Sequence, residues 1–68
     1  MLQNLKAEAA RFGVSTLMLA QETELSDKTI REKIAGKTAF GIDDAMKIRD
    51  RFFPGMSLEY LFTPVKNE

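Results

Sequence analysis

The segment of residues 16–36 constrains the fold of this chain most strongly, because it carries start and stop signals for short helices. Ser26 can accept a hydrogen bond from the free backbone N–H groups of a following first turn. Gly36 can adopt the left-handed conformation that commonly ends a helix. Between these two signals, Ile30 and Ile34 lie one turn apart and share one helix face. The pattern predicts an amphipathic helix that begins after Ser26 and ends at Gly36.

The run before this helix carries a similar but less clean pattern. Ser15 can cap a helix at its start. Three of the residues that follow can turn toward a core: Leu19, Ala20 and Thr23. Ala20 has a small side chain, which allows two helices to cross closely. With Leu25 anchoring the connection, the segment predicts two helices joined by a tight turn, which is a helix-turn-helix.

The spacing of small and apolar residues here resembles that of the lambda-repressor-like regulators. These are also called XRE or Cro/C1-type helix-turn-helix proteins, and the chain is most similar to their short phage-type members. The residues that carry the resemblance are Ala20, Leu25, Ile30, Ile34 and Gly36. It extends over nearly all 68 residues. The resemblance implies an all-α, compact bundle of about five helices, in which the third helix is presented to the major groove of DNA.

The chain departs from the family pattern at four positions. Thr16 stands where the family often has Gln, and Glu24 stands where it most often has Gly in the turn. A positive φ at Glu24 would cost about 1 kcal/mol. Leu17 and Met18 occupy positions that are usually polar, so we expect them to be exposed. Such residues are more often ordinary surface side chains than a contact surface, and both interpretations stay open.

Apolar spacing outside this segment predicts three further helices. The first is predicted to end at Gly13, and its inward face contains Leu2, Leu5, Ala9 and Phe12. Gly41 can cap a fourth helix, whose core face is predicted to contain Ile42, Ala45, Ile48 and Phe52. Ser57 can cap a short last helix before a polar tail at residues 63–68. The whole chain, residues 1–68, is therefore predicted to form one domain with a helix-turn-helix at about residues 16–36.

The composition excludes several classes of function. The chain contains no Cys and no His, which removes disulfides, thiolate nucleophiles, imidazole bases and the usual zinc ligands. The adjacent carboxylates Asp43 and Asp44 diverge by about 100° on a helix and do not share a site. We therefore expect no enzymatic activity, cofactor, metal or small-molecule substrate. The longest apolar run, residues 17–20, is far below the roughly 18 residues of a membrane span, so we expect no membrane contact and a location in the bacterial cytoplasm.

The net charge of zero is unusual for a nucleic-acid-binding protein, so the distribution of charge matters more than the total. Residues 26–37 contain four cations and two carboxylates, which places a basic excess on the predicted third helix. Four residues of this helix are predicted to contact bases: Asp27, Lys28, Arg31 and Glu32. Four further residues of the chain, at the start of the second helix and at the end of the third, are predicted to contact phosphates: Ser15, Thr16, Lys33 and Lys37.

Together with these features, the resemblance to the lambda-repressor-like family implies a sequence-specific regulator of the Cro type. Such a protein is a repressor of phage or prophage origin that binds a double-stranded DNA operator as a homodimer. Successive apolar residues of the last helix point in different directions, so they cannot all enter one core. The predicted dimer contact is therefore Tyr60, Leu61 and Phe62, in the C-terminal region that related regulators commonly use, with Leu17 and Met18 as the second choice. The alternative is a small helical protein-interaction module, such as an antirepressor, because a mixed-sign helix face is often only solvated.

Overall fold

A computed structural model describes residues 1–64, and in that range it contains five helices and no strand. The helices are α1 (Gln3–Phe12), α2 (Thr16–Thr23), α3 (Asp27–Ala35), α4 (Ile42–Phe52) and α5 (Leu58–Phe62). The predicted all-helical class is confirmed, and the Cα atoms have a radius of gyration of 10.7 Å. Residues 65–68 of the predicted polar tail lie outside the described residues.

Three of the helices begin with the serine caps that the sequence predicts. The hydroxyls of Ser15, Ser26 and Ser57 each accept a hydrogen bond from the backbone N–H three residues later, at 3.0 to 3.2 Å. Gly13 and Gly36 end α1 and α3 in the left-handed conformation, with φ of 69° and 95°. The hydrogen bonds to the serine hydroxyls satisfy backbone N–H groups of the first helical turn, which have no partner inside the helix. The boundaries of α2 and α3 therefore follow from local signals.

Glu24 ends α2 in a conformation that suits glycine. Its φ is 63°, and it is the one residue other than Gly with a positive φ among residues 1–64. Its backbone N–H donates to the carbonyl of Ala20. Next to it, Leu25 is half-buried and packs against the core, as the sequence predicts. The left-handed region costs a residue with a Cβ atom roughly 1–2 kcal/mol, so the turn between α2 and α3 stores strain at this position.

We expect Glu24→Gly to raise the free energy of unfolding by up to about 1 kcal/mol, because removal of the Cβ penalty outweighs the extra backbone entropy of glycine. Urea unfolding followed by circular dichroism measures the change. The control is Gln21→Gly on the exposed face of α2, which is expected to lower stability by about 1 kcal/mol. Equal losses in both variants would mean that position 24 is not strained.

The core draws side chains from all parts of the described chain. Its buried members are Leu2, Leu5, Ala9, Leu19, Ala20, Ile30, Ile34, Ile48, Phe53 and Leu61. The α2 helix packs against α3 and α4, while α1 packs against α5 and α3. The backbone N–H of Leu2 also donates to the carbonyl of Ile34 at 2.8 Å. These contacts place the start of α1 beside the C-terminal half of α3.

Two side chains that were predicted on core faces are exposed. Phe12 is 55% exposed and Ile42 is 66% exposed, so the prediction that they are buried is wrong. Phe12 is the last residue of α1, and its ring rests on the outside of Phe53, with the ring centroids 6.2 Å apart. Ile42 is the first residue of α4 and lies at the margin of the face buried by Ile48. Phe53 is fully buried although it follows the end of α4, and the sequence pattern did not predict it.

A buried carboxylate joins α1 to α5, and the sequence analysis missed it. Glu8 is 6% exposed, and the Tyr60 hydroxyl donates to its Oε2 at 2.7 Å. Arg11 Nε lies 3.8 Å from Oε1, which accepts no hydrogen bond from residues 1–64. The side-chain amide of Asn4 donates to the Tyr60 carbonyl at 2.9 Å. The position of Glu8 one turn after Leu5, on the buried stripe of α1, was the available signal.

The hydrogen bond that Tyr60 donates to Glu8 raises the pKa of the Tyr60 hydroxyl above its ordinary value of 10.0, and desolvation and the negative charge of Glu8 add to the shift. A pKa that is higher in the folded state gives stability that is complete below pH 10 and lost as the pH rises through the folded pKa. We therefore expect the chain to lose more stability above about pH 10 than a Tyr60→Phe variant does. Urea unfolding across that pH range measures this difference.

Tyr60 is the one tyrosine of the chain, so the absorbance of tyrosinate reports its ionisation alone. Glu8→Gln provides the control, because it removes the charge that opposes ionisation and should return the midpoint toward 10.0. A midpoint that is the same in the Glu8→Gln variant and the unaltered chain would contradict the contact.

Candidate nucleic-acid interface

The α3 helix turns one face into the core and the opposite face to solvent. Ile30 is fully buried and Ile34 is almost so, and both hold α3 against the rest of the bundle. On the outer face, Lys28 and Arg31 are exposed and Glu32 is half-buried. The α2 helix packs on α3 more extensively than on the other helices. The predicted base-contacting face of α3 is therefore accessible to solvent, while the opposite face is packed against the rest of the bundle.

Asp27 links the first turns of α2 and α3. The Thr16 hydroxyl donates to Asp27 Oδ1 at 2.5 Å, and Arg31 Nη2 lies 2.6 Å from Asp27 Oδ2. Each carboxylate oxygen of Asp27 therefore makes one contact inside the protein. A hydroxyl has one proton to donate, so the Thr16 side chain cannot also donate to a phosphate in this arrangement. In the structure, Thr16 and Asp27 therefore link α2 to α3, and Asp27 orients Arg31.

Two shallow concave surfaces flank Arg31. One is lined by Lys28, Arg31, Glu32, Ala35 and Lys37. The other is lined by Met1, Lys6, Thr16, Arg31, Ile34 and Ala35. Arg31 and Ala35 contribute to both, so the two surfaces form one continuous strip across the outer side of α3. We call this strip the α3 surface and define it by these two sets of lining residues.

Lys6 belongs to the α3 surface, and sequence reasoning did not find it. It is exposed on α1 and lines the second concave surface together with Thr16 and Arg31. No local pattern relates Lys6 to α3, because their proximity depends on the packing of α1 against α3. With Lys6 included, the α3 surface carries four cations, while carboxylates outnumber cations on the rest of the described chain. The zero net charge therefore conceals a separation of charge over the surface.

Lys33 lies on a different side of α3 from Lys28 and Arg31. Its Nζ donates to the carbonyl of Ala39 at 2.9 Å and lies 5.9 Å from the centre of the Phe40 ring. These contacts attach the connection between α3 and α4 to the C-terminal turn of α3. The bond to Ala39 uses one of the three donors of the Lys33 ammonium, so the role of Lys33 as a phosphate contact stays a prediction. Lys37, by contrast, is exposed and lines the α3 surface.

The three residues of the predicted dimer contact, residues 60–62, differ in burial and in the contacts that they make. Leu61 is fully buried in the core, so its assignment to a dimer contact is corrected. Phe62 is half-buried and packs edge-on against Phe40, with the centroids 5.2 Å apart. The ring of Tyr60 is exposed, but its hydroxyl is bonded to Glu8. These residues mainly hold α5 on the bundle, because at each of them a contact within the chain is already made.

Leu17 and Met18 are exposed at the start of α2, as the sequence predicts. Leu17 is 59% exposed. The sulfur of Met18 accepts a hydrogen bond from the backbone N–H of Ser15 at 3.5 Å, which completes the cap of α2. The Ser15 hydroxyl accepts from the backbone of Met18 and keeps its own proton available for another acceptor. Ser15 therefore remains able to donate outward at the N-terminal end of α2.

Within residues 1–64, no group of His, Cys, Asp and Glu side chains is arranged to hold a metal ion. None of the helices in this range has the length and apolar character needed to cross a membrane. Glu32 is the one carboxylate among the residues that line the α3 surface, and Asp27 beside it is paired with Arg31. The charge of the α3 surface therefore favours an anionic ligand over a cation.

Comparison with known proteins found no relative of this chain. No protein-family model matches it, and neither curated protein sequences nor solved structures gave a match. The five-helix architecture and the α3 surface are therefore observations on this chain alone. Membership of the lambda-repressor-like family stays a prediction from the residues that carry the resemblance.

Proposed function

We propose that this protein binds double-stranded DNA sequence-specifically through α3. In this proposal it acts as a Cro-type regulator and a repressor of phage or prophage origin in the bacterial cytoplasm. The observation that carries the proposal is the α3 surface. In it, Lys28 and Arg31 lie on the exposed face of a helix whose other face is buried, and Lys6 and Lys37 line its two concave parts. An α-helix fits the major groove, which is about 12 Å wide, and phosphates then lie along both of its edges.

The side chains of α3 divide into two roles in this arrangement. Arg31 and Lys28 are long donors suited to O6 and N7 of guanine, and Glu32 can accept from N4 of cytosine. Asp27 acts mainly as a positioning residue, because its carboxylate holds Arg31 at 2.6 Å. The Arg31 side chain therefore has a restricted set of rotamers, so its guanidinium presents its N–H donors to a base in a limited range of orientations.

Phosphate contacts are assigned to the margins of the α3 surface. Lys6 and Lys37 line the two different concave surfaces beside Arg31 and carry no base-specific geometry. The free proton of the Ser15 hydroxyl and the positive N-terminal end of α2 add a further donor group. Contacts of this kind set the position of a protein on the duplex, while base contacts set its sequence preference.

The proposed regulator binds as a homodimer and needs no cofactor or small-molecule substrate. One recognition helix reads only a few base pairs, so two copies on a palindrome give the specificity that an operator requires. Two copies would hold their α3 helices roughly 34–36 Å apart, which is one turn of DNA.

The proposal is tested by selecting duplexes from a random pool with the purified protein. Affinity for the selected sequence is then measured at several salt concentrations. A DNA-binding protein loses affinity in proportion to the number of phosphates that it neutralises. Enrichment of a common sequence together with a steep salt dependence supports the proposal. Absence of binding to any duplex at low salt contradicts it.

The alternative function is a small helical interaction module, such as an antirepressor. The exposed apolar side chains of Leu17 and Met18 at the start of α2 favour it, together with the net charge of zero. Such a module would show no salt-dependent binding to duplexes. Its affinity for a protein partner would instead fall on Leu17→Asp, since a charge in an apolar contact is costly.

We expect Lys6→Ala and Lys37→Ala each to weaken binding to all duplexes alike and to lower the slope of log affinity against log salt by about one unit. The physical reason is the loss of one phosphate contact and of the counterion release that accompanies it. Fluorescence anisotropy with a selected and a scrambled duplex measures both quantities. The control is Arg51→Ala on α4, outside the α3 surface, which should leave the slope unchanged. A loss confined to the selected duplex would contradict the phosphate role.

A further inference from the structure

The α4 helix leaves a pair of apolar side chains uncovered. Ile42 is 66% exposed and Met46 is 42% exposed, and they lie one turn apart on the same face. Ala45 and Ile48 are buried on the neighbouring face of α4, and Ile42 lies at the margin of that face. The hydrophobic pattern predicts Ile42 in the core, so its exposure results from the packing of α4 on the bundle. Two adjacent apolar side chains that no other helix covers mark a candidate contact surface.

Charged side chains of opposite sign border this pair. Asp43 and Lys47 are exposed, lie one turn apart, and form no ion pair with other residues in the range 1–64. At 100° per residue, both lie on the same side of the line through Ile42 and Met46. The negative charge is nearer the start of α4 and the positive charge is nearer its end. An antiparallel copy of the same helix presents the complementary order of charges.

We propose that the α4 face is the contact between two copies of this chain, with the two α4 helices antiparallel. When the helices cross near residue 45, Asp43 lies opposite Lys47 of the partner subunit, and the twofold axis repeats this pair. In the same register, Ile42 packs beside Met46 of the partner subunit. A second copy is the occupant that this pattern fits, because the charges are complementary to themselves.

The inference concerns free protein and does not depend on DNA binding. It assigns the dimer of the proposed regulator to α4 and not to residues 60–62, where contacts within the chain are already made. One helix face forms a small interface, and interfaces below about 1,200 Å² are mostly weak or transient. We therefore expect a dissociation constant on the order of 10–100 µM for the free protein.

Sedimentation velocity over a wide range of protein concentrations tests the contact. The unaltered chain should approach the dimer mass as its concentration rises. Asp43→Lys and Lys47→Asp should each weaken self-association by about tenfold or more, since like charges then face each other twice. An equimolar mixture of the two variants should associate again. The first variant is positive at both positions and the second is negative at both, so the mixed dimer regains two attractive pairs.

A second pair of variants tests the apolar part of the contact. Ile42→Glu should abolish self-association, while Leu17→Glu should leave it unchanged, because Leu17 is a similarly exposed apolar residue on α2. Circular dichroism confirms that each variant is folded. If Ile42→Glu fails to fold, the mixing experiment still decides the question.

Three outcomes would overturn the assignment to α4. The first is a monomer at all concentrations of the unaltered chain, and the second is a dimer that tolerates both charge reversals. The third is a mixture of charge variants that does not associate. A dimer that Leu17→Glu alone disrupts would place the contact on α2 instead. Each result is obtained without DNA, so failure of this inference and failure of the proposed DNA binding are distinguishable.

Discussion

Arg31→Ala is expected to bind a selected operator about 5- to 150-fold more weakly than the unaltered chain, which corresponds to a loss of roughly 1–3 kcal/mol. Arg31 lies on the outer face of α3, and its guanidinium is oriented by Asp27 at 2.6 Å. Removal of a donor that reads a base should also relax the preference at one operator position. Affinities for all single-base variants of the operator measure both effects.

The matched control for this prediction is Arg51→Ala. The side chains of Arg31 and Arg51 are 68% and 66% exposed, and each lies within 4.0 Å of a carboxylate, Asp27 and Glu22 respectively. Both substitutions therefore remove one positive charge and one surface ion pair, but only Arg31 lies on the α3 surface. Equal effects of the two variants on every duplex would assign Arg31 a general electrostatic role and remove α3 from base recognition.

Phe53→Ala is expected to destabilise the chain by about 3–5 kcal/mol, because it removes a large, fully buried side chain and leaves a cavity. A single core in a chain of this size rarely supplies more than about 3–5 kcal/mol of net stability. We therefore expect the variant to be largely unfolded at room temperature. Far-ultraviolet circular dichroism and urea unfolding measure this result.

Phe12→Ala is the control for Phe53, since the two rings touch but Phe12 is 55% exposed. Its loss should cost less than about 1.5 kcal/mol, the range given by an aromatic pair together with partial burial. Equal destabilisation by Phe12→Ala and Phe53→Ala would contradict this prediction. It would mean that the contact between the two rings, and not the burial of Phe53, accounts for the loss of stability.

The all-helical class and most helix boundaries could be predicted, because these boundaries depend on short-range bonds. The caps at Ser15, Ser26 and Ser57 involve backbone groups three residues away, and Gly36 ends α3 by its own conformational freedom. The strained turn at Glu24 was recognisable for the same reason. Each of these features is confined to one or two helical turns, so the order of residues alone specifies it.

The candidate site could be predicted only in part. Periodicity identified the outer face of α3, because the direction of each side chain on a helix follows from its position. It could not show that Asp27 is held between Thr16 and Arg31, or that Lys33 bonds to Ala39. Those contacts depend on how two elements approach each other, and several acceptors near α3 were equally compatible with the sequence.

The sequence by itself determined where helices begin and end, which face of α3 is polar, and which types of chemistry its residue set allows. The tertiary structure decided which side chains at the margin of a helix face are covered. It left Ile42 exposed and enclosed Phe53, and it joined Glu8 to Tyr60, which is 52 residues away in the chain. It also brought Lys6 beside Arg31. The physical reason is range: a cap or a helical period acts within a few residues, whereas burial and charge clustering depend on neighbours supplied by distant parts of the chain.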